Sequence, residues 1–244
     1  MEPVFSDFSG SKAHFRFSKA RSKRILRVLS LFKELKGCCL LDAGCGYGFV
    51  SRELARKCGE VTGVDTNRRA IDFAKRAARE KGVKNCSFLN ENAERLSFGG
   101  NSFDIVVSYQ VLEHVGNQKR YLKELKRVLK EDGVLYIATP NRFYPIEPHY
   151  KIPFLALMPS FLANIFVRAR GVKEYDIKLL SRKKLAQLLM ETGFQFEDFT
   201  GKIVRDPEKF CARKDFGLKM KFLKHFYFFP FRCFVPGFIF VCRK

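Results

Sequence analysis

Residues 40–48 read LLDAGCGYG, and a second aspartate, Asp65, closes the next apolar stretch 23 residues after Asp42. An apolar strand running into a glycine-rich turn lets the backbone approach a ligand that a Cβ would exclude. An acidic residue at the tip of the second strand is then placed to accept hydrogen bonds from ribose hydroxyls. The glycines at 44, 46 and 48 are spaced G-x-G-x-G, and no Lys-Ser or Lys-Thr follows them. This argues against a phosphate cradle. Asp42, just before the loop, would repel a pyrophosphate but suits a ligand carrying a cationic amino group.

The surrounding pattern repeats strand and helix. SKARSKRILRVLSLFKEL (19–36) has helical apolar spacing with Gly37 as its stop, CCLLDA leads into the glycine loop, and 49–58 forms the first crossover helix. EVTGVD, a helix over 67–81, strands near 86–90 and 103–108, a helix over 117–130 and a turn at Asp132-Gly133 into VLYIAT continue the alternation. It predicts a Rossmann-like, doubly wound, mostly parallel α/β sheet. FQFEDFTG and GFIFVCR then close it as an antiparallel C-terminal hairpin, for seven strands. Residues 141–180, rich in Pro, Phe and Arg, interrupt the pattern before a helix capped by Ser181 and Gly193. The expected organisation is one domain over 1–244. It comprises a basic N-terminal helix (1–37), a cofactor core (38–140), a substrate-side insertion (141–180) and a closing helix with strands (181–244).

The charge is uneven. Residues 1–40 hold nine Lys/Arg against three acids and residues 201–244 eleven against three, whereas 41–150 is near balance at eighteen against fourteen. Basic ends favour an anionic partner, such as lipid head groups, a phosphorylated substrate or RNA. The eight cysteines form no C-x-x-C pair and no zinc-spaced cluster, which reads as free thiols in a reducing, cytoplasmic setting. No secretory signal and no membrane-length apolar run is seen.

LLDAGCGYG with Asp65, NENAERLSF (90–98), FDIVVSYQVLEHV (103–115) and LKRVLKEDGVLYIATPN (125–141) together resemble class I S-adenosylmethionine-dependent methyltransferases, in order and spacing over roughly residues 20–141. The resemblance implies S-adenosylmethionine as cofactor, held by Asp42, Gly44, Cys45, Gly46, Gly48, Asp65 and Thr66. It adds Asn92, Ala93 and Glu94 at the adenine, where Asn92 stands in place of the family's usual aspartate, and Gln110 at the methionine end. Cys45 is expected to present its backbone to the ligand rather than its thiol. The chain also resembles the ubiquinone-pathway O-methyltransferases, in which an arginine at the position of Arg24 pairs with the cofactor carboxylate. The alternative for Arg24 is a solvated helix-face residue. In some quinone methyltransferases, carboxylates on the short helix after strand four hold a divalent metal. Here Gln110 occupies the first such position and leaves Glu113 alone, so Glu113 and His114 are expected to shape the loop without a metal.

TPNRFYPIEPHY (139–150) resembles a subgroup carrying Asn141, Arg142, Glu147 and His149 on the acceptor side, with Tyr144 in the same run. His149 is the candidate catalytic base, since imidazole titrates near neutral pH. Alternatively, His149 and Glu147 only fasten the loop. FLALMPSFLANIF (154–166) and the Phe-rich, basic 219–238 stretch read either as a greasy mouth for a lipid-like acceptor at an anionic membrane or as core, the latter favoured for Phe238 and Phe240. The expected activity is O-methylation of a small-molecule or lipid-like acceptor. RNA methylation and an inactive cofactor-binding protein are the rivals. Against RNA, no Asn/Asp-Pro-Pro-aromatic run follows strand four, and no separate RNA-binding module is recognisable.

Overall fold

The structure, a computed structural model, describes residues 12–210 and 235–244, with side chains from residue 19 onward in the first segment. Five parallel strands follow from the apolar runs: β1 (Cys39–Ala43), β2 (Glu60–Asp65), β3 (Cys86–Asn90), β4 (Phe103–Tyr109) and β5 (Leu129–Pro140). Two antiparallel strands, β6 (Gln195–Asp198) and β7 (Gly237–Arg243), complete a seven-stranded sheet in the order β3-β2-β1-β4-β5-β7-β6. The predicted mostly parallel sheet with an antiparallel closing hairpin is therefore present. The order reverses between β1 and β4, where a doubly wound sheet opens its ligand crevice.

Alternating side chains divide the core between two faces. Leu41, Val106, Leu135 and Ile137 pack against α4 (Gln118–Val128) and α6 (Arg182–Glu191). Leu40, Ile105, Val107 and Tyr136 pack against α1 (Lys12–Leu29), α2 (Phe49–Leu54) and α7 (Thr200–Arg205). Burying each side chain of this size contributes about 1.5–3 kcal/mol, so the central strands are the most resistant part of the fold. Phe238 and Phe240 of β7 are buried, as expected for core residues. Asn67, Asn117 and Ser181 cap α3 (Arg68–Glu80), α4 and α6 through their side chains.

Several boundaries differ from the sequence reading. α1 ends at Leu29 rather than near residue 36, because the chain turns there and Phe32 packs edge-on against Phe199. The Asp132-Gly133 turn is absorbed into β5, where the β4–β5 register shifts and Lys33 reaches across to Asp132. The 141–180 insertion forms a 3-10 turn (Leu155–Leu157) and α5 (Ser160–Arg168), which close a small core of Ile152, Leu155, Ala163 and Val167. The stretch 219–234 lies outside the described residues.

Candidate functional site

The carboxyl ends of β1, β2 and β4 enclose a cleft of about 700 Å³. The glycine loop forms one wall, and its conformation is fixed from below. Backbone N–H groups of Gly44 and Cys45 donate to the Val64 carbonyl at 2.8 and 2.9 Å. Gly44 adopts φ +82°, and a Cβ there would lie 2.3 Å from a Val111 methyl. Gly46 adopts φ +50°, and a Cβ would meet nothing within 4 Å. Gly46 thus presents bare backbone to the cleft, while Gly44 allows the β4 loop to approach. Asp65, at the tip of β2, accepts from the Gly46 and Asn67 amides, both at 2.8 Å. That double anchor aims the carboxylate along the cleft and leaves its other lone pairs for a ligand.

Thr66, Asn92, Ala93, Glu94 and Gln110 line the same cleft, as the resemblance implied. Glu94 also ties its far wall together by accepting from the Gly116 and Asn117 amides at 2.7 and 3.2 Å. Gln110, a non-glycine residue at φ +55°, also borders a second cavity of about 230 Å³ that Arg21 and Arg24 line from α1. Arg24 is buried rather than solvated, which removes the helix-face alternative. Sequence reasoning missed Val111, His114 and Val115, whose spacing of three and four after β4 is the signal that they share the cleft face.

Gly48 and Asp42 take a different form from the one expected, and the Cys45 thiol points away from the cleft, in keeping with its expected backbone role. Gly48 does not border the cleft, and a Cβ there would lie 2.5 Å from Phe88, so it serves packing. Cys45 turns its side chain down toward Gly63, away from the cleft, and burial pushes its thiol well above its ordinary value. Asp42 is 3% exposed and accepts a 2.6 Å hydrogen bond from Ser51 Oγ. Burial lifts its pKa from 3.8 to about 6 against that hydrogen bond, so its influence on a ligand is that of a nearby charge.

On the acceptor side, Asn141 is 1% exposed and does not face a substrate. Its side chain donates to the Val235 carbonyl and accepts from the Phe143 amide, clasping the end of β5 to the start of β7. Arg142 is exposed, and Tyr144 closes the turn through a bond to the Asn141 carbonyl. Glu147 is buried and holds the loop, accepting from the His149 and Tyr150 amides at 2.8 and 2.5 Å. It also meets His149 Nδ1 at 2.6 Å. His149 packs edge-on against His114, with centroids 4.9 Å apart, at the edge of the cofactor cleft. Burial and His149 lower the His114 pKa, while burial raises that of Glu113 to about 7. Glu113 accepts a 3.0 Å bond from Thr139 Oγ1. One ligand-type atom each from Glu113, His114 and His149 lies within 4.8 Å of the others.

The insertion carries many exposed apolar side chains. Phe143, Ile146, Phe154, Leu157, Phe161, Leu162, Ile165 and Phe166 are all exposed, and only Leu31 and Met190 share that property among the described large hydrophobic residues. Concentration in one segment distinguishes this patch from scattered surface apolar residues. No helix among the described residues is long and apolar enough to cross a membrane.

Residues 41–137 match the methyltransferase domain family. A ubiquinone biosynthesis O-methyltransferase of Sinorhizobium fredii is 34% identical over 169 residues, 68% of this chain and 64% of that relative. The chain therefore spans just under two thirds of the curated relative's length. Among solved structures, an S-adenosylmethionine-dependent methyltransferase from Mesorhizobium loti superposes with a TM-score of 0.61 at 16% identity, covering 91% of this chain and 98% of its own. The [4+2]-cyclase SpnF gives a TM-score of 0.60 at 20% identity, covering 91% of this chain and 81% of its own. These structures share the fold, and the cyclase among them illustrates that the fold alone does not dictate the chemistry.

Proposed function

The chain belongs to the class I S-adenosylmethionine-dependent methyltransferases, and from that premise we propose that it methylates an oxygen of a small, lipid-like acceptor. The residues present fit the cofactor: bare backbone at Gly46, the anchored Asp65 carboxylate for the ribose, and Asn92 to Glu94 for the adenine. Gln110 and Arg24 would hold the methionine end, where a buried guanidinium suits its carboxylate. When bound, the cofactor supplies a sulfonium-activated methyl group. The protein's task is then to align the acceptor oxygen with that carbon and to ease loss of its proton.

The observation that carries this reading is the Glu147–His149 pair beside the cleft. Glu147 fixes the ring through Nδ1, and His149 is only partly exposed, within ring contact of the cleft-lining His114. His149 is therefore the residue that activates the acceptor hydroxyl, with Glu147 as its positioning residue. Acceptor chemistry follows from the insertion. Eight exposed apolar side chains beside Arg142, Lys151, Arg168 and Arg170 favour a lipid-like molecule drawn from an anionic membrane surface. This reading has the protein working in the cytoplasm, peripheral to that membrane.

Incubation with radiolabelled S-adenosylmethionine and separate lipid, small-molecule and RNA extracts tests this directly. Label should enter the lipid or small-molecule pool, and His149→Ala should abolish that transfer while cofactor affinity is retained. Label only in RNA would overturn the acceptor class. Wild-type turnover in His149→Ala would remove that residue from the mechanism.

A further inference from the structure

The second cavity, of about 230 Å³, is lined by α1 and by the paired ends of β5 and β7, where Thr139 stands opposite Phe238 and Pro140 opposite Gly237. Gln110 borders both this cavity and the cofactor cleft. Thr139 ties it to the acceptor side. Its hydroxyl donates to Glu113, a carboxylate whose other oxygen lies 3.9 Å from His149 Nε2. Among the described lining residues the charged ones are Arg21 and Arg24, three residues apart on α1, and no carboxylate is among them. Arg21 is half-buried, and its guanidinium stacks 4.3 Å from the centre of the Tyr109 ring. Stacking fixes the plane of the group and leaves its N–H edge directed toward another partner.

We propose that Arg21 binds an oxyanion of the acceptor, a carboxylate or a phosphate ester, and so selects acceptors with an anionic end. That the ligand is the acceptor rests on the methyl-transfer reading, whereas the anion site does not. The cofactor does not supply the compensating charge. Its methionine end carries one carboxylate and one ammonium, and its sulfonium adds a further positive charge. A cofactor carboxylate held by Arg24 therefore leaves Arg21 beside a net cation, in a place where water is partly excluded and charges act strongly. Asp42 is a weak counter-charge, since Arg21 ranks behind burial, Ser51 and Asp65 in setting its pKa.

Size and lining narrow the ligand. Small-molecule sites run to roughly 300–1,000 Å³, so this cavity admits one end of an acceptor rather than a whole one. Pro140, Pro236, Phe238 and Ile239 give it apolar walls suited to a hydrocarbon stem. A guanidinium fork meets a carboxylate or phosphate through two parallel N–H···O bonds, a geometry that a lysine does not reproduce. An acceptor anchored there is held within reach of both Gln110 and the Thr139–Glu113 pair beside His149. Arg21 thus acts on specificity and positioning, away from the reacting atoms.

The test is a ligand-detected NMR titration of the full-length protein saturated with S-adenosylhomocysteine, at fixed ionic strength. The probes are hexanoate, hexyl phosphate and the neutral hexanamide. At least one anion should bind saturably, and hexanamide about tenfold more weakly. The tighter anion identifies carboxylate or phosphate as the group recognised. Arg21→Gln should weaken anion binding roughly tenfold to a hundredfold while S-adenosylhomocysteine affinity stays within about twofold. Arg21→Lys, which keeps the charge and loses the fork, should recover only part of the anion affinity. Arg79→Gln, at an exposed position of α3, should change neither affinity, which separates the site from the general positive charge of the protein. Circular dichroism checks that each variant folds. Equal binding of hexanamide and the anions, wild-type anion affinity in either folded Arg21 variant, or loss of S-adenosylhomocysteine affinity in step with anion affinity would each overturn the proposal. Anion binding that needs Arg21, in a protein without affinity for S-adenosylhomocysteine, would uphold the site and count against the methyl-transfer reading alone.

Discussion

Asp42 is expected to couple cofactor affinity to pH. Its carboxyl is buried, bonded to Ser51, and raised from 3.8 to about 6. Because the folded value lies above the unfolded one, the stability contribution of Asp42 is full below pH 3.8 and is lost as pH rises through about 6. Above that, the fold carries a buried anion at a cost of about 3 kcal/mol, the equivalent of a shift of roughly two pKa units. A cationic ligand at the glycine loop offsets that cost. If binding of S-adenosylmethionine restores the ordinary carboxylate value, affinity must rise about a hundredfold between about pH 4 and pH 6 and then level off. Binding at about pH 5 must release close to one proton. Isothermal titration in buffers of different ionisation enthalpy measures both quantities. Asp42→Asn keeps the shape and can still accept from Ser51. It should bind with the low-pH affinity of the wild type at every pH, about a hundredfold weaker near pH 7. The ligand-free variant should gain about 3 kcal/mol near pH 7, a rise in Tm of roughly 6–12 °C. Pure buffer-independent binding at about pH 5, or an unchanged pH slope in Asp42→Asn, would refute the reasoning.

Other expectations follow from the same geometry. Gly46→Ala should fold with a loss of about 1–2 kcal/mol, from its left-handed backbone, yet lose cofactor affinity in a binding titration because the methyl enters the cleft. Gly44→Ala should be worse in thermal unfolding, since its methyl would meet Val111 at 2.3 Å and push the β4 loop away. Asp65→Ala removes the proposed ribose acceptor and should weaken cofactor binding by about 1.5–3 kcal/mol, roughly tenfold to over a hundredfold in Kd. Phe161 and Ile165 are 67% and 60% exposed, so changing both to Glu should leave thermal stability unaltered. It should abolish co-sedimentation with anionic lipid vesicles, and equal sedimentation would dismiss α5 as a membrane contact.

The features legible in the chain are those governed by local backbone demands. Gly44, Gly46 and Asp65 could be read because a strand, a tight turn and a helix need particular residues at fixed spacing. The doubly wound, mostly parallel sheet was legible because right-handed crossovers leave few alternatives for alternating strands and helices. Asn141 shows where such reading stops. In the sequence it looked substrate-facing, but it bonds the carbonyl of Val235, a partner supplied only when β7 inserts beside β5.

By itself the sequence determined the fold and the glycine loop with Asp65 that the methyl-transfer reading makes the cofactor's seat. Tertiary structure decided which charges that seat contains and which side chains meet beside it. The Asp42 pKa depends on how completely the surrounding helices exclude water, which no motif encodes. Glu113, His114 and His149 converge because β4 and β5 are neighbours and their loops share one edge of the sheet. Contacts of that kind depend on distance in space between residues far apart along the chain.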